Sequence, residues 1–575
     1  MAAMTMSAVV GSAVGAAGMV TSGGGMGFAA GCAMGVMRMV GMARYGRRAR
    51  WDDVPRRGAK WSVEKEPQHV FKSPRDIVRE AEIHEALFVT KENAKDAVLV
   101  KDLLQKAEDH ALLKVGTSGA PVPPQSGSEY VQGLTVLEAA TLLNVDSANK
   151  LLMQLLFDTA FRIKERIYGN RIVLFAPLYV GSYCVNQCTY CSFRASNHAA
   201  PRGTLSNDQL VREVEALQRQ GHRRLLLVAG ESPKYSFEQT LEALQIVSQV
   251  RTEPCGGIRR INVEIPTLSV SDFRRLKATN CVGTYTLFHE TYHRETYRRV
   301  HPAGPKSDYD YRLLTMDRAQ TAGVDDVGIG ALFGLYDYRF EVLGMLQHAQ
   351  HLDQTYGAGP HTVSIPRIQP ALGAPDSLNG GPNPVSDADF MKLVAVLRCA
   401  VPYTGMILST RENPQTRKML LHLGVSQMSA GSKTDVGSYS KEDKKANVLP
   451  EKCQEESQDM LAQFTLQDHR AMDEIVHDLM EDGFVPSWCT ACYRKGRTGE
   501  AFMKIAKKGD IHNYCHPNGL LTLQEYLIDY ASERTRALGE KVVQQESETI
   551  GSERAKQAYE RKLKRINAGE HDLYF

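Results

Sequence analysis

The sequence predicts an α/β protein built on a (βα)8 barrel. Two observations carry that expectation. From residue 171 onward, short β-rich runs recur, each followed by an amphipathic helical segment. The unit repeats eight times over roughly 260 residues, which suits a ring of parallel strands inside a ring of helices. An open doubly wound sheet is the alternative that strand patterning leaves standing. At 575 residues, 43% of them apolar, the chain has material for a large core and for more than one domain.

The first 51 residues contain no Asp or Glu and are rich in Ala, Gly, Met and Ser; their only charges are Arg38, Arg44, Arg47, Arg48 and Arg50. That composition predicts an organellar transit peptide over 1–58. A membrane span is the competing reading, because residues 1–37 are uncharged. "SGGGMG" makes a poor helix, each Gly costing about 1 kcal/mol relative to Ala. No other segment reaches the ~20 apolar residues of a span, so no stable membrane insertion is expected. A net charge of +3 gives no reason to expect a nucleic-acid partner.

Residues 59–165 read as a helical region. "VLEAATLLNV" and "KLLMQLLFDTAFRIKERIYG" place apolar residues at three- and four-residue intervals. "GTSGAPVPPQSGSEY", 116–130, reads as a loop. The barrel is expected over 166–432, with strands at 171–180, 224–230, 260–266, 284–290, 326–334, 362–368, 404–410 and 425–431. Residues 433–466 read as a polar, solvated insert. Residues 467–575 read as a mostly helical C-terminal domain, ending in "GSERAKQAYERKLKRI", whose alternating charges predict a solvated helix face.

Six of the eleven cysteines fall in two groups. Cys184, Cys188 and Cys191 form C-x3-C-x2-C directly after the first strand, at the barrel end where active sites sit. Three thiolates hold three corners of a [4Fe–4S] cluster and leave one iron open to another ligand. A structural zinc site would want a fourth ligand close by. Cys489, Cys492 and Cys515 form C-x2-C-x22-C in the C-terminal region. There a zinc site completed by His512 or His516 competes with a second iron–sulfur cluster.

At the first group the sequence resembles the radical S-adenosylmethionine (SAM) superfamily. The resemblance implies that SAM chelates the open iron and is cleaved to a 5′-deoxyadenosyl radical. It places Tyr190 beside the adenine. It makes Ala229-Gly230-Glu231, ending the second strand, the tripeptide that receives the SAM amino group, with Ala in place of the usual first Gly. The segments "LFHETYHRETY", "DDVGIGALFGLYDYR", "GPHTVSIPRIQPA" and "PYTGMILSTRE", together with the second cysteine group, resemble the HydG-type tyrosine lyases that mature the [FeFe]-hydrogenase. The resemblance spans roughly 75–570. It excludes the N-terminal extension and the insert near 433–460; ThiH, the related thiamine-pathway tyrosine lyase, shares the barrel but lacks the second cysteine pattern.

It implies cleavage of the Cα–Cβ bond of L-tyrosine to p-cresol and dehydroglycine. CO and cyanide then form at an auxiliary cluster bearing an extra "dangler" iron, giving an Fe(CO)(CN) synthon for the H-cluster. The alternatives are a ThiH-like 2-iminoacetate synthase of thiamine biosynthesis and a non-enzymatic iron–sulfur carrier. The implied partners are a ferredoxin or flavodoxin and maturation proteins of the HydE and HydF type. The implied location is the chloroplast stroma, with mitochondrion or hydrogenosome as alternatives.

Site expectations follow. Arg411 suits bidentate binding of the tyrosine carboxylate, against a loop salt bridge with Glu412. Ser409 should face the same side. Glu290, placed at the end of strand four, is expected to bind SAM or the substrate amine. His361, just before strand six, is expected to hold the dangler iron from the barrel's lower end; His289 and His293 are its rivals.

Overall fold

The structure, a computed structural model, describes residues 69–111, 133–441 and 462–575. The proposed transit peptide, the 116–130 loop and the middle of the insert lie outside the described residues. Eight parallel strands form the barrel: β1 (Arg171–Gly181), β2 (Arg224–Ala229), β3 (Arg260–Glu264), β4 (Val282–Thr286), β5 (Val327–Gly330), β6 (Thr362–Ser364), β7 (Gly405–Leu408) and β8 (Gln427–Ser429). Each pairs with its sequence neighbour, and β8 returns to β1 with Val173 opposite Gln427. The ring is therefore closed, which excludes the open doubly wound sheet. Every strand is shorter than the expected run except β1. The apolar residues past β4 and β5 continue as buried loops, not as paired strand.

The helices start where the sequence supplies caps. Ser206, Ser236, Ser269 and Ser386 each accept a backbone N–H of the first turn of the helix that follows a strand. Asn413 does the same ahead of Pro414, which lacks the N–H that would otherwise be orphaned. The helix Lys150–Tyr168 buries Leu152, Leu156, Ile163 and Ile167 on one stripe, packed against the helices Asp387–Ala400 and Ala97–His110.

Three features depart from the sequence expectations. First, a ninth strand, β9 (Val485–Ser487), pairs in parallel with the start of β1, Arg171 opposite Val485. The C-terminal region is hydrogen-bonded into the barrel sheet and shares its apolar core. Second, the two described ends of the insert are not solvated. Tyr439 is buried and donates to Pro177 O, on the side of β1 that β8 no longer covers, and Glu213 accepts from the N–H groups of Tyr439 and Ser440. Third, the charged tail helix Glu553–Asn567 buries Tyr559 and Ile566 against the body, so it is amphipathic and not merely a solvated face.

Candidate active site

The first cysteine group lies at the upper end of the barrel, where strands finish. The loop after β1 is laid against the end of β2: Gly230 N donates to Gly181 O at 2.9 Å and Val185 N to Glu231 O at 2.8 Å. A Cβ on Gly230 would sit 2.4 Å from Tyr183 O, so only glycine permits this approach. Asn186 ties the loop together. Its Nδ2 reaches Glu231 Oε2 at 2.7 Å and Cys184 Sγ at 3.6 Å, and its Oδ1 accepts from Lys306 N. On the other side Gln463, from the insert, directs Nε2 at Cys191 Sγ at 3.6 Å and accepts from the Tyr179 hydroxyl.

Burial disfavours the thiolates and pushes Cys188 up to about 12, against the pull of Lys306. Three thiols, Cys188 buried and Cys184 and Cys191 half-buried, with amide donors on the latter two, fit an iron–sulfur cluster, whose positive irons stabilise the thiolates that burial opposes. Tyr190 is held by His301, its hydroxyl 2.7 Å from Nε2. His301 Nδ1 faces Tyr297 O at 2.9 Å. A carbonyl only accepts, so Nδ1 carries the hydrogen and Nε2 accepts from Tyr190.

A cavity opens inside the barrel below this loop. Its walls are apolar, with Phe175, Leu226, Val228 and Ile407; its polar groups include Tyr179, Glu264, Ser409, Arg411 and Gln463. Arg411 and Ser409 do line one cavity. The guanidinium carbon of Arg411 lies 3.4 Å from the ring centroid of Phe464. The salt bridge with Glu412 is not formed: Glu412 is engaged by Arg367, with Nε 2.9 Å from Oε1. Glu290 does not end strand four. It lies four residues past Thr286, at φ 76, with Oε1 2.5 Å from Lys306 Nζ and 3.7 Å from Arg312.

The second cysteine group lies at the opposite, lower end. β9 carries the chain past the start of β1 to Cys489, whose carbonyl accepts from Arg224 NH1 at 2.6 Å. The neighbouring Cys515 thiol and then Arg497 favour the thiolate at Cys492 and hold it below the usual thiol range. Arg171, Arg224 and Arg260 each open a strand, β1 to β3, and form a cationic collar here. The buried Nε atoms of Arg171 and Arg224 have no hydrogen-bond partner among the described residues. Unpaired buried donors around three thiols fit an anionic thiolate cluster.

His361 joins this end. Its Nδ1 is 3.5 Å from Asp326 Oδ1, and its ring packs against Phe502. Burial pushes it down to about 4, helped by Arg260, Arg224 and Arg171 and opposed by Asp326. A neutral imidazole is the ligating form.

Its rivals are elsewhere. His289 is buried among Tyr292, Tyr297 and Tyr309 beyond β4, and His293 caps the helix Arg294–Val300. His516 is taken up by Glu546 O and Thr549. Among the described residues no three His, Cys, Asp or Glu side chains converge on one ion position.

Sequence reasoning missed Asn186, Glu264, His301, Gln463, Phe464 and the arginine collar. Only the collar had a visible signal, an Arg at the start of three successive strands.

Residues 178–348 match the Radical SAM superfamily, and residues 364–485 the Biotin and Thiamin Synthesis associated domain. The 2-iminoacetate synthase of Escherichia coli (strain K12) is 32% identical over 344 residues, 58% of this chain and 82% of that enzyme. Among solved structures, HydG, a maturase of the [FeFe]-hydrogenase, is 45% identical with a TM-score of 0.76, covering 87% of this chain and 100% of that one. HydG from Carboxydothermus hydrogenoformans, an FeFe-hydrogenase maturase, is 37% identical with a TM-score of 0.68, covering 86% and 100%. With a relative above 30% identity matched over most of its length, and a radical SAM segment carrying the upper cysteine group, the chain belongs to the ThiH/HydG branch of the radical SAM superfamily.

Proposed function

We propose that this chain is a tyrosine lyase of [FeFe]-hydrogenase maturation. It cleaves the Cα–Cβ bond of L-tyrosine to p-cresol and dehydroglycine, and delivers CO and cyanide as an iron–carbonyl–cyanide product. One observation carries the reading: a closed barrel has a three-cysteine group at each end and, between them, a cavity whose Arg411 has no ion-pair partner among the described residues. A carrier has no use for that cavity. A ThiH-like 2-iminoacetate synthase has no use for the lower group, and both HydG structures are matched over their whole length.

When bound, the upper cluster and SAM supply a 5′-deoxyadenosyl radical. The chain's own residues do the rest. Cys184, Cys188 and Cys191 hold the cluster, and the Ala229-Gly230-Glu231 end of β2 receives the SAM amino group beside Tyr190. Arg411, fixed by stacking on Phe464, takes the substrate carboxylate with Ser409 beside it. The apolar walls and the insert's Phe464 and Leu466 exclude water. At the lower end Cys489, Cys492 and Cys515 hold a second cluster, of [4Fe–4S] type, and His361 is the barrel ligand for its additional iron. A ferredoxin or flavodoxin supplies electrons, and HydE- and HydF-type proteins are its maturation partners. The acid-free, arginine-bearing first 51 residues support import into the chloroplast stroma; a fluorescent fusion of that segment that stayed in the cytosol would overturn this.

The deciding experiment is anaerobic turnover with SAM, dithionite and L-tyrosine. A tyrosine lyase of this type releases p-cresol, 5′-deoxyadenosine and CO. A ThiH-like enzyme releases the first two without CO, and a carrier releases none.

A further inference from the structure

The cavity inside the barrel holds a carboxylate that the reaction above leaves without a task. Glu264 ends β3 and lines the cavity together with Asn262, Ser409 and Arg411. The other acidic groups around it are engaged: Glu290 by Lys306, and Glu231 by Asn186. Among the described residues Glu264 has neither a hydrogen bond nor an ion pair at its carboxylate.

Arg411 likewise has no carboxylate bonded to it among the described residues, only the face of Phe464. In the strand order of the closed ring, β3 and β7 stand on opposite walls. Glu264 ends the first, and Arg411 follows the second by three residues. One cavity thus carries a carboxylate and a guanidinium that have no hydrogen-bond or ion-pair partner among the described residues. An α-amino acid carries the complement of that pair on a single carbon. A bare carboxylate in a largely apolar cavity is costly, and an ammonium group removes the cost.

We propose that Glu264 binds the α-amino group of the amino-acid substrate and takes one proton from it, leaving the neutral amine from which hydrogen is abstracted. The proposal rests on the tyrosine-lyase reading. In the step, one ammonium N–H bond breaks, its electron pair stays on nitrogen, and an O–H bond forms on the Glu264 carboxylate; nothing is oxidised or reduced.

The surroundings suit a base working near neutrality. Burial and then Glu290 raise Glu264 to about 7, against Arg411, Lys306 and Arg312, and Tyr179 faces it from β1. Glu290 and Lys306 come from the loop beyond β4 and the turn before the helix Tyr309–Leu313, which carries Arg312.

The test uses the anaerobic holoenzyme with SAM and equilibrium dialysis of two labelled ligands. One is L-tyrosine; the other is 3-(4-hydroxyphenyl)propionate, which keeps the phenol and carboxylate and lacks the amine. Glu264→Gln should weaken tyrosine at least tenfold and leave the propionate within about twofold, the loss expected of one charge-assisted hydrogen bond. The p-cresol rate of the wild type should fall as pH drops below about 7, a limb that Glu264→Gln lacks.

Should the glutamine variant lose its clusters, Glu264→Asp makes the same comparison with the charge retained. It should weaken tyrosine several-fold and spare the propionate. Equal losses for both ligands, or an unchanged tyrosine affinity and pH profile, would overturn the proposal. A wild type that binds no tyrosine and makes no p-cresol would instead overturn the reading on which it rests.

Discussion

Gly230 shows how a single missing atom positions the upper site. The loop bearing Cys184 passes so close to β2 that any Cβ at 230 meets Tyr183 O at 2.4 Å and Cys184 Cβ at 3.4 Å. Neither neighbour is a flexible side-chain end, so the loop itself must move. Gly230→Ala should therefore weaken SAM binding at least tenfold while thermal stability changes by only about 1–3 kcal/mol. The change in the cluster's EPR signal on adding SAM measures the first, and a thermal melt the second. An alanine variant with unchanged SAM affinity would show that the close approach is not needed.

His222 makes a second residue-scale case. It is wholly buried at the turn into β2, neither ring nitrogen has a partner among the described residues, and burial with Arg223 pushes it down to about 3. Its folded value lies below the unfolded one of about 6.5, so the unfolded chain takes up the proton first. Stability is complete above about pH 6.5 and is lost as pH falls toward 3, at up to about 1.4 kcal/mol per pH unit. Replacing the imidazole removes this proton uptake. The thermal midpoint of His222→Leu should drop less than that of the wild type between about pH 7 and about pH 5; equal drops would rule His222 out as a source of acid sensitivity.

At the scale of elements, strand positions were legible because barrel strands are buried on both faces and read as short runs rich in apolar and β-branched residues, such as RLLLVA and GMIL. Strand ends were not, since buried loops such as 331–335, ALFGL, carry the same residue types. β9 escaped because three residues, Val485–Ser487, give no periodicity. The candidate site divides in the same way. Cysteines and the Ala229-Gly230-Glu231 stretch are legible by spacing, whereas Asn186, Glu264 and Gln463 matter through where their side chains point, which only packing decides.

The polar insert concealed Phe464, and the alternating charges of the tail concealed Tyr559. The latter makes a prediction. Tyr559 is fully buried, and its hydroxyl has no partner among the described residues, so its worth is in the ring. Tyr559→Phe should be neutral or slightly stabilising, while Tyr559→Ala should cost about 3–5 kcal/mol. The loss should also loosen the neighbouring helix Ile511–Asp529, which carries Cys515. Iron content per chain, measured beside the melt, separates a local from a global effect: the alanine variant should lose iron, and the phenylalanine variant should keep it.

On the scale of the whole molecule, the two cysteine groups share a barrel but not an end. β1 alone spans 11 residues from the arginine collar to the upper loop, about 30 Å of extended chain. Arg171 at its start lies within the field of Cys489, Cys492 and Cys515, while Gly181 at its finish hydrogen-bonds to the Gly230 loop. Between the ends stand the cavity and Arg411, so the substrate site proposed above draws on neither group directly. Removing a lower thiol should then cost the lower chemistry alone.

Cys489→Ala should release p-cresol and 5′-deoxyadenosine at rates within about threefold of wild type, with CO lowered at least tenfold. Cys184→Ala, Cys188→Ala and Cys191→Ala should abolish all three products, because each would strip the proposed upper cluster of a corner. His361→Ala should fall between them, retaining p-cresol while CO declines, since it leaves all three lower thiols in place. Side-by-side p-cresol and CO yields from anaerobic turnover decide the matter. Wild-type CO from Cys489→Ala would assign the lower group a structural role. Loss of p-cresol in that variant would mean instead that the ends communicate through the barrel, with β9, hydrogen-bonded to the first residues of β1, as the element that couples them.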